Sequence, residues 1–183
     1  MDVTYATLPL GGQPLTLPMR TPGAGRLWAR LARDRSPLAQ LVRAARRTPD
    51  SPAATDGAQV VTAAELYARV RLLAGVLHAR GIGRGSTVGL LCSDHAGFAQ
   101  AALAVQWVDA RLVLVDIDAT PDRLGAVARR EGVQLLVHDA ALRPIVVRSG
   151  LAVPTLVSDG HGSGSVAGAC DFGHPAPRRR RRP

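Results

Sequence analysis

Four adjacent residues, Cys92-Ser93-Asp94-His95, bring a thiol, a hydroxyl, a carboxylate and an imidazole into one short stretch. Nucleophilic catalysis uses these groups, but the base must reach its nucleophile from elsewhere in the fold, and chain neighbours have the wrong geometry for that. A strand end followed by a helix N-cap explains them more simply. Asp116, Asp118 and Asp122 form a second group. Beyond a strand's carboxyl end they suit Mg2+, yet as flanks of a helix opening at Thr120-Pro121 they favour its dipole, and that reading is preferred. Gly81, Gly83 and Gly85 hint at a phosphate loop. A dinucleotide fingerprint follows a strand and opens a helix, whereas here a helix precedes and a strand follows, so the glycines read as a C-cap and a tight turn. His161, Cys170 and His174 offer soft metal ligands at spacings that match no zinc pattern, while His78 and His138 read as single surface or hydrogen-bonded histidines. The five arginines 178–182 would grip anionic lipid or nucleic acid by charge alone, although a compositionally biased tail yields the same string, which is the preferred reading. No residue is therefore expected to be catalytic, cofactor-binding or metal-binding.

Composition bounds what can position such groups. With 183 residues, 46% hydrophobic and 20% charged, the chain can bury one core and is not disordered throughout. No stretch has the roughly 18 uninterrupted apolar residues of a membrane helix. The opening MDVTYATLPLGG lacks the basic and apolar regions of a signal peptide. A cytoplasmic location is the expectation. Two cysteines are too few for a disulfide framework, and Cys92 sits in an apolar run as a small core residue. All 23 basic residues are arginine, and the net charge of +9 is unevenly spread. Residues 1–47 carry eight arginines against two acids, residues 48–150 ten against ten, and residues 151–183 five against two. The neutral middle and the 3% aromatic content argue against a specific nucleic-acid reader.

The pattern along the chain predicts the elements. Residues 1–25 hold no period and read as an irregular arm, and Leu27 and Leu31 allow a short first helix. Ser36-Pro37 opens a helix lined by Leu38, Leu41, Val42 and Ala45, which ends before Thr48-Pro49. Residues 53–61 fit an extended pair around Asp56-Gly57. Thr62-Ala63-Ala64-Glu65 is a capping box for a helix whose stripe runs through Leu66, Val70, Leu73, Ala74 and Leu77, with Gly81 as its left-handed cap. The apolar run 87–92 reads as a strand covered on both faces. There follow a helix over 94–108, a strand over 111–115, a helix from Thr120-Pro121 to Glu131, a strand over 133–138 and a β segment near 151–157. Such alternation predicts an α/β fold, a partial, doubly wound, mostly parallel sheet with helices on both faces.

The segments from Arg47 to Ala53, from Val61 to Leu66 and from Ala79 to Val88, in that order, resemble the N-terminal opening of AMP-forming acyl-CoA synthetases, in the adenylate-forming superfamily. Phe98 to Trp107 and Ala110 to Val115 are similar to the helix and strand that follow there. Ser86 stands where the family commonly has Asp, and Asp109 where it often has Gly. Leu124 to Asp139 resembles the segment closing this block in fatty-acid–CoA ligases, so the likeness covers residues 38 to 157.

The resemblance implies ATP-dependent activation of a fatty acid through acyl-AMP to acyl-CoA, with ATP, Mg2+ and coenzyme A as the full-length family's cofactors. It also implies a phosphate loop of Ser, Thr and Gly followed by Pro-Lys-Gly, whose amides and lysine hold the triphosphate. Gly162-Ser163-Gly164-Ser165 has part of that composition, but the chain contains no lysine. The expectation is an N-terminal ligase fragment truncated before the ATP-binding loop, inactive and without bound cofactor on its own. It divides into an arm over 1–35, an α/β portion over 36–157 and a disordered tail over 158–183. An uncovered sheet edge would then meet a complementary ligase fragment or a full-length ligase. The alternative is a non-enzymatic interaction module.

Overall fold

The computed structural model describes residues 6–10, 13–17, 36–56, 59–93 and 96–158. Strands β1 (Ala6–Leu10) and β2 (Gln13–Leu17) pair antiparallel, so this part of the expected irregular arm is a hairpin. The sequence reading missed it because Pro9, Pro14 and scattered leucines give no clean alternation. The short helix allowed by Leu27 and Leu31, and the tail from residue 159 onward, lie outside the described residues.

Helix α1 (Pro37–Arg47) begins where Ser36 caps it, its hydroxyl accepting from the Ala39 amide at 3.2 Å, and Leu38, Leu41 and Val42 are buried. Strands β3 (Pro52–Asp56) and β4 (Gln59–Thr62) form a second antiparallel pair, flanking the expected turn. Helix α2 (Ala63–Ala79) starts on the capping box: Thr62 Oγ1 accepts from the Glu65 amide at 3.3 Å, and Glu65 Oε2 accepts from the Thr62 amide at 2.9 Å. Its buried stripe is Leu66, Val70, Ala74 and Leu77. Each buried leucine contributes about 2 kcal/mol of apolar transfer. Gly81 follows at φ 75° and the Ile82 amide reaches back to the Leu77 carbonyl at 3.0 Å, which turns the chain into the sheet.

The sheet contains β5 (Thr87–Leu91), β6 (Arg111–Leu114), β7 (Leu135–Asp139) and β8 (Thr155–Ser158), all parallel, in the order β6-β5-β7-β8. Helix α3 (Ala96–Trp107) connects β5 to β6, and α4 (Pro121–Glu131) connects β6 to β7. A 3-10 turn (Ala140–Leu142) and the short helix α5 (Arg143–Arg148) lead from β7 to β8. Side-chain alternation divides the core. Val88, Leu90, Leu135, Val137 and Leu156 pack with α1, α2 and α3, whereas Leu91 and Leu136 pack with Leu124 of α4 and Val146 of α5. On the second face Gly89 has no room for a side chain, since a Cβ would lie 2.9 Å from Leu136 Cδ1 and 3.2 Å from Val133 Cγ1.

At the amino ends of the strands, Arg111 clamps three elements. Its Nε donates to Thr87 Oγ1 at 3.3 Å, and its guanidinium reaches the Glu131 carboxylate at 2.9 Å and the Glu131 carbonyl. The expected α/β class with helices on both faces of a parallel sheet is what the chain adopts.

Candidate functional site

Parallel sheets place their ligand-binding loops beyond the strands' carboxyl ends. In this chain that rim carries Cys92 and Ser93 after β5, Asp116 and Asp118 after β6, His138 and Asp139 at the end of β7, and Ser158 at the end of β8. Cys92 follows the paired positions Leu91 and His138, one step beyond the ladder and beside Asp139. Its thiol is buried and donates to the Val137 carbonyl at 3.9 Å. Burial, and then the charge and hydrogen bond of Asp139, push that thiol far above its ordinary range. Asp139 is itself buried, and its Oδ2 accepts from the Ser93 amide at 2.7 Å. Asp94 and His95 lie outside the described residues. Ser93 stands at a strand end, and the carboxylate that meets its amide comes from β7, 46 positions away in sequence. No local pattern announces that meeting, which depends on β5–β7 pairing.

The second acidic group makes local contacts at the turn and helix start. Asp116 Oδ1 accepts from the Asp118 amide at 3.1 Å, closing a turn, and Thr120 caps α4 by accepting from the Arg123 amide at 3.3 Å. Asp122 lies in the first turn of α4, where its charge suits the dipole. Among the described residues no three His, Cys, Asp or Glu side chains converge to hold a metal ion. Gly85 is left-handed at φ 86° and the Gly83 amide donates to Ser86 Oγ at 3.2 Å, a tight turn ahead of β5. His138 is buried, with its Nδ1 2.8 Å from the Asp139 carbonyl, and His78 is exposed on α2. His161, Cys170, His174 and the arginine run fall outside the described residues.

A four-stranded parallel sheet of order β6-β5-β7-β8, with three helices on one face and two on the other, defines a doubly wound α/β unit. A protein-family model described as AMP-binding enzyme matches residues 41–167, and the chain belongs to that family. No curated protein matches the chain. Among solved structures, it is similar to the O-succinylbenzoate coenzyme A synthetase of Bacillus subtilis in complex with AMP, at 24% identity and a TM-score of 0.58 over 64% of this chain and 30% of that one. A benzoate CoA ligase from Burkholderia xenovorans LB400 aligns at 20% identity and a TM-score of 0.63, over 68% and 26% of the two chains. The N-terminal subdomain of Klebsiella oxytoca NpsA aligns at 23% identity and a TM-score of 0.51, over 55% and 26%. The chain therefore spans under a third of the length of these solved relatives.

The family implies ATP and Mg2+, and the Bacillus synthetase has been solved with both. The Asp139 carboxylate on the rim is taken up by the Ser93 amide, and the sequence has no lysine for the Pro-Lys-Gly loop that the resemblance implies.

Proposed function

We propose that this chain is the N-terminal part of the AMP-binding domain of an acid–CoA ligase and that it does not form acyl-adenylate by itself. The observation that carries this reading is the family match over 41–167 joined to a sheet that aligns with about a quarter of each relative. The absence of lysine, which the Pro-Lys-Gly loop implied by the resemblance requires, supports the second half. Its contribution to the reaction would be scaffolding: α2 and α3 cover one sheet face, and the loops after β5 and β7 border the remainder of the domain. ATP, Mg2+ and coenzyme A would act with the full-length enzyme, in the cytoplasm. Among the described residues no helix is long and apolar enough to cross a membrane.

For the acid, the likeness of Leu124 to Asp139 to fatty-acid ligases supports a fatty acyl substrate. The aryl-acid ligases among the solved relatives support an aromatic acid as the second candidate. ATP–pyrophosphate exchange separates the possibilities. Pure chain with Mg-ATP and either fatty or aryl acids should give background exchange, and exchange above background would overturn the inactive-alone reading. A non-enzymatic interaction module is the second reading. The outer edges of β6 and β8, unpaired among the described residues, favour that second reading, which predicts a saturable protein partner indifferent to ATP.

A further inference from the structure

Helix α2 buries one side in the first core, and its outward side is apolar as well. Ala68, Leu72, Gly75 and Ala79 are all exposed, and they follow one another at the alternating four- and three-residue spacing of a two-helix seam. Leu72 is 59% exposed, and a Cβ built on Gly75 would meet no atom within 4 Å, so a large side chain stands one turn before an open notch. The outward sides of α1 and α4 carry charge instead, through Arg46 and Arg47 on the one and Arg123 and Arg130 on the other. A surface helix normally turns polar residues to water, and an uncharged strip along three turns is a face suited to a second helix.

The same residues specify which helix fits. In an antiparallel pair Leu72 faces Gly75 of a second copy, Gly75 faces that copy's Leu72, and Ala68 faces its Ala79, so large meets small and the layers fill evenly. A parallel pair would stack leucine on leucine and leave a void where glycine meets glycine. Charge selects the same orientation. Glu65 precedes the strip and Arg80 and Arg84 follow it, so antiparallel helices bring opposite charges together at both ends and parallel helices bring like charges together.

We propose that the outward side of α2 docks a second copy of this chain, through a two-fold antiparallel seam in which Leu72 of each copy enters the notch at Gly75 of the other. Because the same patch serves both copies, the contact closes at a dimer. It uses neither the edge of β6 nor that of β8. The seam is short for a protein interface, so monomer and dimer should stay in equilibrium. The inference does not rest on the ligase reading and stands whichever acid is activated.

The test is sedimentation equilibrium of the full chain, with Val157→Lys in every sample so that growth through β8 does not contribute. This chain should fit a monomer–dimer equilibrium with no larger species. Leu72→Glu should raise the dissociation constant by about tenfold or more. Its thermal midpoint should stay close to that of the parent at low concentration, because Leu72 is exposed within one copy. Gly75→Leu separates a fitted seam from general stickiness: it fills the notch and should weaken the dimer, whereas unspecific apolar association would grow stronger. Leu72→Ala combined with Gly75→Leu exchanges knob and notch and should restore the dimer. A chain that stays monomeric at every concentration, a dimer indifferent to Leu72→Glu, or one tightened by Gly75→Leu overturns the proposal. So does an exchanged pair that fails to restore association.

Discussion

Asp109 turns the chain from α3 into β6 with φ 59°, and it is the only described residue other than glycine with positive φ. A left-handed residue costs about 1 kcal/mol when it carries a Cβ, and Asp tolerates it better than most through local hydrogen bonds. Glycine would take this conformation without that cost. A β-branched side chain lacks both escapes. Asp109→Val should lower unfolding free energy by about 1–3 kcal/mol in urea titrations, and an unchanged midpoint would refute the strain argument. Gln106, one turn earlier on α3, has a buried Oε1 without a hydrogen-bond partner among the described residues, for which the structure offers no physical account. The local role of Thr62 was legible from spacing alone, because a capping box is satisfied within four residues. Asp139 was not, because its partner Ser93 is remote in sequence.

The elements stand on caps at one end and clamps at the other. Thr62→Ala removes an N-cap acceptor from α2, the longest helix described, and should cost about 1 kcal/mol, read as a shifted denaturation midpoint. The Arg111 clamp makes a pH-dependent prediction. Hydrogen bonds from Arg130 and then Arg111 hold the Glu131 carboxyl below its ordinary value of 4.5. A carboxyl with a depressed folded pKa contributes stability fully above its unfolded pKa and loses it as pH falls through the folded value. The stability advantage of the unmodified chain over Glu131→Gln should therefore be present at pH 7 and shrink below pH 4.5. A difference independent of pH would show that the ion pair does not provide it. Helix α5 escaped the sequence reading because its six residues include Pro144 and the β-branched run Ile145, Val146 and Val147, which favours strand locally. Packing of Val146 onto the second sheet face overrides that preference.

For the whole molecule, the sheet leaves the outer sides of β6 and β8 unpaired among the described residues. β8 reads Thr155-Leu156-Val157-Ser158, without charge or proline to blunt it. The isolated chain should self-associate as concentration rises in sedimentation velocity, and Val157→Lys should suppress that association while leaving the far-UV circular dichroism intact. Equal association by both chains would remove edge pairing as its cause. The sequence by itself determined the alternation of helix and strand, the caps at Ser36, Thr62 and Thr120, and the α/β class, since periodicity and capping are satisfied by residues a few positions apart. It also carried the family likeness, through short segments in a preserved order. Only the tertiary structure decided the strand order β6-β5-β7-β8, the need for glycine at 89, and the meeting of Asp139 with Ser93. Those features arise from contacts across neighbouring strands, where distant parts of the chain come within hydrogen-bonding and packing distance, and no local spacing encodes them.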